Sequence, residues 1–107
     1  MNSTNSYFES SVNSPQDILT LTKAFSKDQY VYQQGDSAAK YFKVIEGVVV
    51  LGSYSLDGKM IFKGLIHEGE FFGDEVASGQ EERLNFAMAL SKELVVEEYK
   101  HSDFWSN

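Results

Sequence analysis

Short β-rich runs, each ended by a glycine turn, follow one another from Tyr30 onward. The run YVYQQGD ends near Gly35, and Gly47 lies inside the run YFKVIEGVVVLGSYS, where it predicts a sharp corner or a bulge. The pair Asp57-Gly58 separates that run from MIFKGLI, and Asp-Gly between two apolar runs is the strongest short signal for a β-hairpin. Several short strands at near-regular spacing predict a β-sandwich or a β-barrel.

The second half of the chain continues this β pattern. In LNFAMAL the larger residues alternate with Asn or Ala, which is the two-residue period of a strand, and ELVVEEY reads as another strand. The run FFGDEVA favours one helical turn, and Ser102 has the character of a helix N-cap. We expect the helix that begins near Ser102 to continue outside this chain. The predicted core holds six aromatic residues: Tyr41, Phe42, Phe62, Phe71, Phe72 and Phe86.

The N-terminal region differs from the rest of the chain. Residues 1–17 are rich in Ser and Asn and contain the only proline, Pro15, so they are predicted to form a flexible N-terminal segment. Residues 18–107 are predicted to form one domain, because a chain of 107 residues that is 42% hydrophobic can bury a single modest core. The run ILTLTKAF at its start fits either a strand or a helical turn.

Charge and cysteine content exclude several classes of function. The net charge is −7, and no cluster of Lys and Arg is present, so this chain is not expected to bind nucleic acid. Without cysteine there is neither a disulfide framework nor a thiolate metal site. The sequence shows no signal peptide and no apolar run long enough to cross a membrane. A cytoplasmic protein without membrane contact is the expectation.

Histidines are too few and too far apart to predict a metal site. A metal-binding barrel enzyme of the cupin type needs two closely spaced His with a Glu and a third His on a later strand. His67 and His101 do not form that pattern, and no Ser-His-Asp arrangement has supporting context. The chain is therefore expected to have no catalytic residues, no metal ligands and no certain cofactor.

The order and spacing of the pieces resemble a known family. YVYQQGDSAAKYFKVIEGVVVL, SLDGKMIFKGLIHEGEFFGDEV, RLNFAMAL and VVEEYKHSDF together are similar to the cyclic-nucleotide-binding sensor domain of Crp/Fnr-type transcription regulators. The similarity extends roughly from Tyr30 to Trp105. It implies a mainly β fold, a double-stranded β-helix or jelly roll, with short helical segments.

The resemblance also implies a ligand site. Gly73 stands at the family's glycine, and Asp74 stands where the family has a Glu that binds ribose, with Glu75 as its neighbour. Arg83 stands at the family's phosphate-binding Arg, and Leu84 stands where that Arg is followed by a hydroxyl residue. Backbone amides at such a turn can cradle an anion, and Arg offers a planar fork to a phosphate. These five residues are the candidate ligand-binding residues.

Two departures from the family pattern leave the ligand open. Leu84 places an apolar side chain beside the expected phosphate, and Glu81 and Glu82 add like charge. Arg83 therefore either binds an anionic ligand or forms an internal salt bridge with acids of its own loop, and we favour the salt bridge. The ligand is a cyclic nucleotide, another small anionic molecule, or absent from a vestigial pocket.

By resemblance, the chain is the non-enzymatic, effector-sensing domain of a Crp/Fnr-like bacterial regulator. DNA would be bound only through a domain outside this chain, and the full-length regulator would be a homodimer formed through the helix near Ser102. Two alternatives are a cupin-like metal-dependent enzyme and a stand-alone interaction domain with a vestigial pocket.

Overall fold

The structure is a computed structural model, and it describes residues 18–75 and 79–100. The predicted flexible segment at residues 1–17 and the predicted helix near Ser102 lie outside the described residues. So does part of the helical turn predicted in FFGDEVA. Within the described ranges, no helix is long and apolar enough to cross a membrane.

Eight β-strands lie within the described residues, and they confirm the mainly β fold expected from the sequence. The strands are β1 (Ile18–Ser26), β2 (Tyr30–Tyr32), β3 (Lys40–Glu46), β4 (Val49–Tyr54), β5 (Met60–Ile66), β6 (Phe71–Phe72), β7 (Phe86–Ala89) and β8 (Glu93–Lys100).

The strands form two four-stranded antiparallel sheets. The first has the order β1-β8-β3-β6 and the second has the order β2-β7-β4-β5. Because the chain passes from one sheet to the other between most successive strands, the two sheets together form the jelly roll. The run ILTLTKAF is resolved as a strand, since β1 pairs with β8 from Ile18 opposite Lys100 to Ser26 opposite Glu93.

Local turn chemistry explains two of the connections. The hairpin predicted at Asp57-Gly58 joins β4 to β5, which pair from Val49 opposite Ile66 to Tyr54 opposite Met60. Gly47 makes the corner between β3 and β4, with φ of 100°. A Cβ atom at Gly47 would lie 2.4 Å from the carbonyl oxygen of Glu93, so no larger residue fits this corner without a shift of the backbone.

The core lies between the two sheets. Strands with one buried face alternate inward and outward residues. β7 contributes only alanines to the central cluster, so neighbouring side chains can pack closely over it. The central cluster consists of Tyr32, Phe42, Val44, Val49, Phe72, Ala87, Ala89, Leu94 and Val96.

The predicted aromatic core is largely correct, with one exception. Tyr41, Phe42, Phe72 and Phe86 are buried, and Phe71 is half-buried. Phe62 is 62% exposed, so its assignment to the core was wrong. The reason is its strand: β5 is the last strand of its sheet, and most of its side chains are exposed.

Candidate functional site

The candidate site lies in the segment that joins β6 to β7, residues 73–85, which we call the cassette loop. It begins at Gly73, whose φ is 82°, a conformation that glycine adopts without strain. A Cβ atom at Gly73 would lie 3.1 Å from Nη1 of Arg83 and 3.2 Å from ring atoms of Phe42 and Tyr32. The glycine therefore lets the backbone approach the Arg83 guanidinium closely.

Arg83 is buried inside the loop that carries it. The residue is 3% exposed. Its Nη1 donates hydrogen bonds to the carbonyl oxygen of Gly73 at 2.6 Å and to Oε1 of Glu75 at 2.7 Å. Its Nη2 donates to the carbonyl oxygen of Lys40. Both terminal nitrogens of the guanidinium thus donate hydrogen bonds to oxygens of the protein, and one of these oxygens belongs to a carboxylate.

Aromatic rings complete the surroundings of this cation. The Arg83 Cζ atom lies 4.0 Å from the ring centroid of Tyr32 and 5.9 Å from that of Phe42, which is cation–π geometry. Burial, together with the negative charge of Glu75, raises the pKa of Tyr32 above its ordinary value. The Tyr32 hydroxyl therefore stays protonated across the physiological range.

Backbone hydrogen bonds fix the end of the cassette loop against the β2–β3 connection. The N–H of Arg83 donates to the carbonyl oxygen of Asp36 at 2.7 Å, and the N–H of Gly35 donates to the carbonyl oxygen of Arg83 at 2.8 Å. The N–H of Ala38 donates to the carbonyl oxygen of Glu81 at 2.9 Å. In the described part of the chain, Arg83 Nε is the buried side-chain polar atom without a partner.

A pocket of about 280 Å³ opens beside the start of the loop, and we call it the cassette pocket. Its walls come from both sheets and from the loop. It is lined by Tyr32, Leu51, Ile66, Phe71, Phe72, Gly73, Asp74, Glu75 and Asn85.

The structure brings together some of the five candidate residues and separates others. Gly73, Asp74 and Glu75 line the cassette pocket. Arg83 contacts Gly73 and Glu75 but does not line the pocket, and Leu84 is 57% exposed. Arg83 thus makes the internal salt bridge that the sequence analysis favoured.

Residues missed by the sequence analysis supply most of the pocket wall. Tyr32 stands two residues after Tyr30, but a register shift between them places Tyr30 opposite Met88 and Tyr32 opposite Ala87, so this spacing gave no usable signal for the pocket. Asn85 is the one amide within the apolar run LNFAMAL, and a polar residue in such a run could have indicated a pocket position. Leu51 and Ile66 carried no signal beyond ordinary core patterning.

A second polar group was also missed. Glu98 on β8 is 1% exposed, and its carboxylate lies 2.9 Å from Nζ of Lys23 and 3.1 Å from Nζ of Lys40. Because β8 lies between β1 and β3, the Glu98 carboxylate contacts one lysine from each neighbouring strand. Its inward position is shared with Val96, two residues earlier. Glu98 also lines a separate cavity of about 260 Å³ that includes Arg83.

Metal-ligating side chains are dispersed in the described ranges. No group of three or more His, Cys, Asp or Glu there could hold a metal ion. His67 is exposed in the turn after β5, where its N–H donates to Oε1 of Glu70 at 2.7 Å. His101 lies outside the described residues.

Comparison of the sequence with models of known protein families shows which family this chain belongs to. The sequence profile of the cyclic nucleotide-binding domain matches residues 22–106. The chain belongs to this family. The resemblance seen in the sequence is thereby confirmed at the level of the family. A search of curated proteins gave no match.

Solved structures share the fold of this domain. The N-terminal domain of a transcriptional regulator from Streptomyces coelicolor has a TM-score of 0.69 and 22% identity, over 78% of this chain and 59% of that one. The catabolite activator protein of Thermus thermophilus has a TM-score of 0.70 and 22% identity, over 80% and 40% of the two chains. The regulatory domain of Toxoplasma gondii PKA, crystallised with cAMP, has a TM-score of 0.69 and 21% identity, over 78% and 32%.

The domain therefore spans between 32% and 59% of the length of these proteins. Identities of this size show a common fold and leave the ligand of this domain to be argued from its own residues.

Proposed function

We propose that the chain is the effector-sensing domain of a Crp/Fnr-like bacterial transcription regulator, and that its effector is a small molecule bound in the cassette pocket. The observation that carries the proposal is the pocket of about 280 Å³ lined by Gly73, Asp74 and Glu75. By the sequence resemblance, Gly73 and Asp74 correspond to the family's ligand positions, and Glu75 is their neighbour. Membership of the cyclic nucleotide-binding family and the shared fold with regulator domains support the same function.

Each candidate residue has a role in this proposal. The positive φ of Gly73 turns the backbone at the pocket wall and lets it pass close to the Arg83 guanidinium. The Asp74 carboxylate accepts a hydrogen bond from a ligand hydroxyl or amine. Arg83 holds the loop closed through Gly73 and Glu75, and Leu84 forms part of the loop's outer surface.

A cyclic nucleotide has to compete with Glu75 for Arg83. The Glu75 carboxylate occupies the guanidinium nitrogen Nη1 at 2.7 Å. Opposite unit charges about 4 Å apart at an effective dielectric constant of about 20 attract by roughly 4 kcal/mol, before desolvation is counted. A phosphate gains the Arg83 contact only by displacing or sharing that attraction. We therefore expect cyclic AMP and cyclic GMP to bind weakly.

In this proposal, the full-length regulator contains parts that this chain does not include. DNA binding belongs to a domain outside the chain, and the full-length protein acts in the cytoplasm as a homodimer through the helix expected near Ser102. The chain itself is non-enzymatic. A stand-alone interaction domain is the second candidate, favoured by one observation: Glu75 already fills the place of an anion on Arg83.

Amide chemical shifts test the proposed site. The isotope-labelled chain is titrated with cyclic AMP, cyclic GMP and a library of small metabolites. A true effector is expected to move the amide signals of Gly73, Asp74 and Asn85, while that of Gly58 in the β4–β5 hairpin stays in place. If binding molecules move only signals outside the cassette pocket, or if none binds, the proposed site is wrong.

A further inference from the structure

The charges that line the cassette pocket point to the chemical class of its ligand. Resting on the proposed function, we infer that the pocket selects an organic ammonium, a small molecule with a positive charge on an apolar body, over a phosphate-bearing ligand. This goes beyond the family resemblance, which implies an anion. The inference rests on three features of the pocket: its lining charges, the position of Arg83 and the nature of its walls.

Among residues 18–75 and 79–100, the lining contains carboxylates and no lysine, arginine or histidine. Asp74 and Glu75 are its two charged residues, and Asn85 is its amide. Arg83 offsets the charge of Glu75 through the contact at 2.7 Å, so Asp74 leaves one net negative charge in the wall. An anion placed here meets like charge, and a cation meets its counterion.

Arg83, a buried cation near the pocket, already has hydrogen-bond partners within the protein. Both terminal nitrogens of Arg83 donate to oxygens of the protein, and its side chain is 2% exposed. Of the two carboxylate oxygens of Glu75, Oε1 accepts the hydrogen bond from the guanidinium. The second carboxylate oxygen, together with the exposed carboxylate of Asp74, provides acceptors for the N–H groups of an ammonium ligand.

The walls suit an apolar body that carries a cation. Tyr32 and Phe72 supply aromatic rings, and Leu51 and Ile66 supply aliphatic surface. The Tyr32 ring already carries the Arg83 guanidinium at 4.0 Å, which shows that aromatic rings at this place accept a cation. The pocket volume of about 280 Å³ lies just below the ~300–1,000 Å³ typical of drug-sized ligands, which favours a small ligand.

Three probes with the same phenyl body and different charge test the inference. Phenethylamine is positive at neutral pH, phenethyl alcohol is neutral and hydrocinnamate is negative; cyclic AMP is the fourth probe. Each is titrated into the labelled chain while the amides of Gly73, Asp74 and Asn85 are followed. We expect phenethylamine to bind at least about tenfold more tightly than phenethyl alcohol, and both anions to bind more weakly still.

Matched variants separate charge from shape. Asp74→Asn removes the carboxylate charge with little change in size, and is expected to abolish most of the preference for the amine over the alcohol. Asp28→Asn makes the same chemical change in an exposed residue outside the pocket, and is expected to leave the preference unchanged. Asn tolerates the φ of 72° at that position, so the control should fold normally.

The outcomes distinguish the inference from the proposed function. If cyclic AMP or hydrocinnamate moves the three amides at concentrations equal to or below those of phenethylamine, the pocket is a ligand site but the inferred ligand class is wrong. An unchanged amine preference in Asp74→Asn also overturns the inference. If none of the four probes moves these amides, the inferred ligand class is overturned, and the proposed pocket is judged separately by the metabolite titration.

Discussion

Nη1 of Arg83 donates to the carbonyl oxygen of Gly73 and to the carboxylate of Glu75, and both partners belong to the same loop as Arg83. A carboxylate in this place supplies the negative charge that a bound phosphate would supply, so the charge of Arg83 is neutralised without a ligand. The hydrogen bonds of the Arg83 guanidinium depend on three single residues: Gly73, Glu75 and Lys40. A guanidinium needs a fork of acceptors, and here two of the three acceptors are backbone carbonyls of Gly73 and Lys40.

Removal of the internal anion should change ligand affinity and stability in opposite directions. In Glu75→Gln, Arg83 loses its counterion, so the affinity for cyclic AMP is expected to rise about tenfold by calorimetric titration. The free energy of unfolding in urea is expected to fall by about 1–3 kcal/mol, because a buried charge is left unpaired. Glu46→Gln, an exposed acid on β3, serves as the control and should change neither quantity. A loss of stability with no gain in affinity would mean that Glu75 is purely structural.

Gly73 permits a second single-residue test. Gly73→Ala places a Cβ at a φ of 82° and 3.1 Å from Nη1 of Arg83. The backbone strain is expected to lower the free energy of unfolding by about 1–3 kcal/mol. Gly64→Ala is the control, since a Cβ there meets no atom within 4 Å, and its effect should stay within about 0.5 kcal/mol. Equal effects in thermal or urea unfolding would show that Gly73 needs no special conformation.

At the scale of the elements, the sequence predicted the turns and corners that depend only on neighbouring residues. The Asp57-Gly58 hairpin and the Gly47 corner need only their own residues and the apolar runs on each side. The run ILTLTKAF stayed ambiguous, because it becomes a strand through pairing with β8 at the far end of the chain. Phe62 was misplaced because alternation does not reveal that β5 is an edge strand.

The site was predictable only to the level of its loop. Gly73 and Arg83 could be placed in the loop by the resemblance to the family, and the acids near them suggested a salt bridge. The identity of the partner, Glu75, and the contact with the Lys40 carbonyl depend on how β3 passes beside the loop, and no pattern of side chains encodes a backbone carbonyl. Tyr32 lines the pocket because of where β2 lies in the fold, and the side-chain pattern of the sequence does not show this either.

Glu98 links three strands, and its replacement tests that link. Glu98→Gln retains the size of the side chain but removes the charge that Lys23 and Lys40 contact at 2.9 and 3.1 Å. The side chains of both lysines are nearly half exposed and remain solvated, so the expected loss is moderate, about 1–3 kcal/mol of unfolding free energy in urea. Glu93→Gln, an exposed change on the same strand, is expected to be neutral. A loss no greater than that of this control would show that the link contributes no stability.

At the scale of the whole molecule, the cassette pocket joins the two sheets. Tyr32 on β2 and Leu51 on β4 belong to one sheet, whereas Phe72 on β6 belongs to the other. A ligand in the pocket contacts both sheets and the cassette loop together. In the regulator that we propose, binding would therefore favour one arrangement of these three parts, and this preference would transmit ligand occupancy to the proposed attached domain.

The overall charge leads to the last prediction, that this chain alone does not bind DNA. Binding to the phosphate backbone is driven by Lys and Arg that release counterions, whereas this chain carries a net charge of −7. We expect no change in the fluorescence anisotropy of a labelled duplex at about 150 mM salt, with or without ligand. Lower salt strengthens any electrostatic attraction, so a titration at about 20 mM is the stricter control, and it should also show no binding. Retention of DNA at either salt concentration would contradict the assignment of DNA binding to a domain outside this chain.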